Sequence, residues 1–144
     1  MINEFIYGTP KPQPRPRAFV RGNRASVYNP KSANEWKRAI ALGLHRFHGM
    51  KETAVFHVEL SFFFERPKSH FGTGKNANLL KSTASKKHNQ KPDLDNLMKA
   101  PLDVLSNINF WIDDSQVVSS TITKAWADKY PSGMLILATK LIDE

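Results

Sequence analysis

The sequence predicts an α/β (α+β) fold in a single domain, with a mixed β-sheet of about five strands and two principal helices. Three observations carry this expectation. Residues 53–65 alternate apolar and polar side chains, the period of a half-buried strand. Residues 32–49 and 94–106 instead repeat apolar side chains at helical spacing. The chain's 144 residues, 40% hydrophobic and 24% charged, suit one ordinary globular domain able to bury a core.

The elements follow in order. "INEFIY", 2–7, reads as a first strand. "GTPKPQPRPR", 8–17, holds four prolines, which forbid a helix and favour extended backbone. Its Lys11, Arg15 and Arg17 then point outward as candidate phosphate contacts, or belong to a solvated linker or a proline-motif ligand. In "SANEWKRAIALGLHRFHG", 32–49, Ser32 and Glu35 have the spacing of a capping box. Trp36, Ile40, Leu44 and Phe47 form its buried stripe, and Gly49 stops the helix. In "TAVFHVELSFFFE", 53–65, Phe56, Val58, Leu60, Phe62 and Phe64 face the core, while His57, Glu59 and Ser61 face away. Residues 94–106 form the second helix, and 116–126 and 133–142 the last two strands.

Between strand and helix lies "RPKSHFGTGKNANLLKSTASKKHNQK", 66–91, with seven basic residues and no acid. Loops beyond about 12–15 residues are usually functional or disordered. This one suits a flexible, DNA-clasping flap, with Arg66, Lys68, Lys75, Lys86, Lys87 and Lys91 as phosphate contacts. Its "GTGK" lacks the spacing and following Ser/Thr of a phosphate loop.

Composition narrows the function. With no cysteine, disulfides and thiolate metal sites are excluded, and a reducing, cytoplasmic setting is expected. The N-terminus does not read as a signal peptide, and no apolar run approaches the roughly 20 residues of a membrane helix. The net charge of +8 is segregated, +12 over residues 1–91 and −4 over 92–144. A basic half draws in a polyanion, with nucleic acid the leading partner. The acidic half needs another explanation.

That explanation lies in "PDLDNLMK", 92–99, and "FWIDDSQVV", 110–118. Five aspartates, Asp93, Asp95, Asp103, Asp113 and Asp114, fall within 22 residues. One is expected to cap the helix, and an Asp-rich turn commonly opens a strand. At about 100° per residue, Leu94, Leu97, Met98, Leu102 and Leu105 share one arc, and Asp95, Lys99 and Asp103 another. If the helix packs beside the strand after 114, Asp93 and Asp95 converge with Asp113 or Asp114. A few carboxylates, completed by water and phosphate oxygens, are what Mg²⁺ takes, and a nearby lysine suits phosphodiester chemistry.

"KPDLDNLMKAPLDVL…FWIDDSQVV", 91–118, resembles the signature of the RusA-type Holliday-junction resolvases, small endonucleases often carried by phages and prophages. The likeness comprises D-x-D-N-L-x-K, the spacing from the first aspartate to the second of the D-D pair, the following S-Q-V-V, and the proline–arginine and basic segments before it. It implies a RusA-like fold over 1–144 and a Mg²⁺-dependent homodimer, with Mn²⁺ a possible substitute. Such a dimer resolves four-way DNA junctions by paired symmetric nicks in recombination and repair, in a bacterial or phage-encoded cytoplasmic setting. It also implies Asp93, Asp95 and Asp114 as metal-binding catalytic acids, Lys99 as the essential lysine and Asp113 as their support. Pro101, inside the helix, departs from ordinary helix chemistry. Phe19 and Phe71 are the wedge candidates for opening a junction. The competing readings are an idle branched-DNA-binding protein and a nuclease for flaps or forks.

Overall fold

The computed structural model of the chain describes residues 1–14, 16–28 and 31–142. Its spine is strand β4 (Val55–Phe64), whose residues alternate between buried and half-buried along its whole length. The five residues expected to face the core, Phe56, Val58, Leu60, Phe62 and Phe64, are all buried. On one side β4 pairs antiparallel with β6 (Gly133–Leu141), and β6 in turn with β1 (Ile2–Tyr7). On the other side β4 pairs parallel with β5 (Val117–Trp126). The order is β1-β6-β4-β5, a mixed sheet in one domain.

A parallel neighbour requires a crossover, and helix α2 (Leu94–Asn107) lies within it. Helix α1 (Asn34–Gly43) packs on α2 and β1. Trp36, Ile40, Leu44 and Phe47 are buried together with Leu97, Val104, Phe110 and the inward residues of β4 and β6 in one apolar core. Gly133 must be glycine, because a Cβ there would stand 2.1 Å from the Ile6 carbonyl oxygen at a φ of +153°.

The mixed sheet and the two helices are as expected; four strands form that sheet, and β2 (Arg17–Arg21) and β3 (Arg24–Tyr28) form a separate antiparallel ribbon. Other details differ. Arg15 lies outside the described residues, as does the side chain of Arg17. The Ser32–Glu35 capping box does not form: α1 opens at Asn34 behind Ala33, with no side-chain cap, so Ser32 sits one residue too early. That helix ends at Gly43, and Phe47 belongs to a separate 3-10 turn, His45–Phe47.

Helix α2 runs through Pro101 without ending. Its buried side is Leu97, Ala100, Pro101, Val104 and Leu105, while Met98 and Leu102 are half-buried and Leu94 is exposed. The apolar arc therefore lies further round than the leucines alone suggest, because the small Ala100 and the ring of Pro101 join it.

Candidate active site

The candidate site is built where β5, α2 and the basic loop meet. Asp93 is the N-cap residue of α2, in extended conformation, yet its carboxylate caps no backbone N–H. Instead its Oδ2 accepts from Lys91 Nζ at 3.2 Å, an exposed pair. Asp95 follows in the first turn, exposed. Lys99, one turn on, donates to Asn96 Oδ1 at 3.2 Å and not to Asp95, the partner its spacing suggested.

The second aspartate pair sits on a 3-10 turn, Asp114–Gln116, that packs against α2. The two neighbours have different work. Asp113 caps the turn, its Oδ2 accepting from the Ser115 N–H at 3.1 Å. Hydrogen bonds from Ser115, side chain first and backbone second, hold the Asp113 carboxyl below its ordinary range. Asp114 is exposed, and its carboxylate makes no hydrogen bond or ion pair among the described residues. Two adjacent aspartates that are alternatives on spacing alone thus have different surroundings.

The turn is fixed by Gln116, whose amide makes four bonds. Its Oε1 accepts from the Ile112 and Asp113 N–H groups at 2.8 and 3.0 Å. Its Nε2 donates to the Glu52 and Ala54 carbonyls, both at 2.8 Å. Asp103 shares an arc with Asp95 and Lys99 but turns to Lys37 of α1 at 3.3 Å, a helix–helix tie.

The loop that delivers Asp93 is anchored at both feet. At its start, Arg66 clamps Asp128 through Nε–Oδ1 and Nη2–Oδ2 bonds of 2.8 Å each. Its Nη1 donates to the Ser85 carbonyl at 2.7 Å and lies 3.1 Å from His70 Nδ1. The Arg66 side chain is only 5% exposed, so it is a loop anchor and not the phosphate contact expected of it. Its hydrogen bond with Asp128 raises the guanidinium pKa further and depresses that of the Asp128 carboxyl.

At the other foot, His88 stacks flat on Trp126 of β5, centroids 4.0 Å apart and planes 10° apart. His70 meets the same indole edge-on at 5.0 Å. Burial first, then the Lys124 ammonium, pushes the His88 pKa below the ordinary histidine range. Lys124, two residues before Trp126 on β5, donates to the backbone carbonyls of Gln90 and Pro92. Those carbonyls flank Lys91 and lead directly into Asp93.

The remaining expected DNA contacts, Lys68, Lys75, Lys86, Lys87 and Lys91, are exposed, as is Lys11. Lys86 and Lys87 line a groove with His88, Leu94, Thr123 and Lys124 beside the start of α2. Phe71, a wedge candidate, is half-buried and bridges to Leu80 within the loop. Phe19 lies on the β2–β3 ribbon, 44% exposed. Sequence reasoning missed Gln116 and Lys124, whose partners lie far away along the chain.

Among the described residues no three His, Asp or Glu side chains are gathered closely enough to form a complete cation cage. The donor chemistry nonetheless fits a hard divalent ion. Asp93, Asp95 and Asp114 are exposed carboxylates that neither cap nor brace the fold, and Mg²⁺ is typically held by one or two carboxylates, completed by water and phosphate oxygens.

Uncharacterized protein YqaN of Bacillus subtilis (strain 168) is 29% identical over 133 residues, covering 89% of each chain. The crossover junction endodeoxyribonuclease RusA of Escherichia coli (strain K12) is 49% identical over 35 residues, 24% of this chain and 29% of that one. The protein of that name from Enterobacteria phage 82 matches to the same extent. The model of the family Endodeoxyribonuclease RusA matches residues 7–136. The chain belongs to the RusA endodeoxyribonuclease family.

Proposed function

We propose that this protein is a Mg²⁺-dependent endonuclease that resolves four-way DNA junctions by paired, symmetric nicks as a homodimer in the cytoplasm. Asp93, Asp95 and Asp114 hold the metal, and Mn²⁺ can replace Mg²⁺. One observation carries the reading. Asp103, Asp113 and Asp128 are each occupied by a structural partner, whereas Asp95 and Asp114 have none among the described residues and Asp93 meets only the exposed Lys91. Exposed and unbraced, these carboxylates are free to take a hard cation, which the braced acids are not.

A divalent ion held there supplies charge to the scissile phosphate, a more acidic bound water and neutralisation of the leaving oxygen. The chain's own residues do the rest. Lys99, one turn beyond Asp95, places a fixed positive charge where the phosphate gains negative charge. Asn96 Oδ1 holds the Lys99 ammonium until substrate arrives. Asp113, Ser115 and Gln116 fix the backbone that presents Asp114. Lys86 and Lys87 in the groove, with Lys68, Lys75 and Lys91, meet the DNA backbone. Two active sites related by a two-fold axis match a two-fold junction, which makes a homodimer the natural working unit.

The test is cleavage of an end-labelled four-way junction, with Mg²⁺ and with EDTA, beside a matched linear duplex. Symmetric nicks that need Mg²⁺, spare the duplex and vanish in Asp95→Asn while junction binding persists are expected. Tight binding without cleavage under several divalent metals would leave an idle branched-DNA binder. Equal cutting of flaps or forks would move the substrate class.

A further inference from the structure

Residues 18–27 contribute no side chain to the core. Neither β2 nor β3 packs substantially on the main sheet or the helices. Two-stranded ribbons are marginal alone, so this one is built to lie against something else. The register sorts its residues by face: Ala18, Val20, Ala25 and Val27 share one, and Phe19, Arg21, Arg24 and Ser26 the other. Arg21 and Arg24 are direct cross-strand partners at the tip, on either side of Gly22 and Asn23. Like charges placed so oppose the pairing. Among the described residues no carboxylate pairs with either arginine, and the sequence holds no acid from 5 to 34. A Cβ built on Gly22 would meet nothing within 4 Å, so the tip stands clear of the protein.

We infer that the β2–β3 ribbon is a DNA-binding arm, and that Arg21 and Arg24 grip backbone phosphates on a duplex arm of the substrate. The inference deepens the endonuclease reading and rests on it. A two-stranded ribbon fits the major groove of B-form DNA, and arginines at its end reach phosphates on the groove's rim. Phosphate relieves the Arg21–Arg24 repulsion that the protein leaves uncompensated. The opposite face, apolar and small, is the one a second copy of the chain would cover if the ribbon served assembly instead.

The test is binding of a labelled four-way junction in EDTA, between 50 and 200 mM KCl. It compares wild type, Arg21→Gln/Arg24→Gln and Arg21→Lys/Arg24→Lys, with sedimentation of each protein. Each phosphate contact contributes about 0.9 to the slope of log K against log salt. The glutamine variant is expected to lose about 2 from that slope for each arm engaged, so about 4 for a homodimer with both arms on DNA, with the sedimenting mass unchanged, and the lysine variant to keep it. An unchanged slope in the glutamine variant would overturn the arm. So would a loss of sedimenting mass, which would assign the ribbon to subunit contact. Wild type that fails to bind junctions would instead remove the endonuclease reading beneath it.

Discussion

Lys124 donates to the carbonyl of Pro92 at 2.9 Å, and through it a strand residue holds the backbone that enters Asp93. The ammonium also bonds the Gln90 carbonyl, so the segment between is gripped on both sides of Lys91. A lysine half-buried on β5 thereby becomes part of the route that places a carboxylate 31 positions earlier in the chain.

Replacing Lys124 by methionine keeps the stem and removes the donors. Asp93 then loses its fixed approach, and cleavage is expected to fall about 10–100-fold, the usual cost of removing a support behind a ligand. Titrating Mn²⁺ binding by electron paramagnetic resonance separates the possibilities. Weakened binding restored by Lys124→Arg supports positioning, whereas wild-type affinity in the methionine variant counts against it.

Gln116→Ala removes four hydrogen bonds at once and strands the Glu52 and Ala54 carbonyls. At about 0.5–1.5 kcal/mol per bond, less what water recovers, a loss of about 2–3 kcal/mol in unfolding free energy is expected. Urea unfolding followed by circular dichroism would show it. A change under 0.5 kcal/mol would mean the turn is held by other contacts.

Asp103→Asn offers the contrast to Asp95→Asn. Asp103 shares the helix arc but pairs with Lys37, both partly exposed, so its loss is expected to cost under about 1 kcal/mol. Cleavage should match wild type within twofold. A collapse of activity would place Asp103 among the working acids.

Acid should loosen the second foot of the loop. The folded pKa of His88 is depressed below 6.5, so the unfolded chain binds its proton first as pH falls. The contribution is intact above pH about 6.5 and is lost as pH falls through the folded value. Wild type is therefore expected to lose melting temperature between pH 7 and 5 more steeply than His88→Phe, which keeps the stack on Trp126 without the titration. Parallel pH profiles would sink this account.

The main sheet was legible because β4 combines two signals, strict alternation and a core partner for every inward residue. Helix α2 was legible from its apolar spacing, though its face was misplaced where Ala100 and Pro101 stand in for larger residues. The β2–β3 ribbon gave no alternation between core and solvent to read, because its described side chains are all exposed. Only the Gly22–Asn23 turn between short β-prone runs pointed to it. The family resemblance implied Asp93, Asp95, Lys99 and Asp114, with Asp113 as a support, but neither Gln116 nor Lys124. Gln116 reaches partners 62 and 64 positions away, and Lys124 partners 32 and 34 away. Such pairings arise only when β4, β5 and the loop between them come together, and have no local pattern. Arg66 looked like one more surface cation for the same reason, its partner Asp128 lying 62 positions on.

Because the basic loop is tied down at Arg66 and again at His88–Pro92, the stretch between behaves as an exchangeable cassette. Its tip, beyond the Phe71–Leu80 bridge, can change length or charge without disturbing either foot. Doubling such a tip costs only about 0.6 kcal/mol of closure entropy. If the loop meets DNA as proposed, a graft there is expected to retune which DNA shapes are gripped while the carboxylates keep their places, so that substrate choice and bond cleavage separate in one small chain.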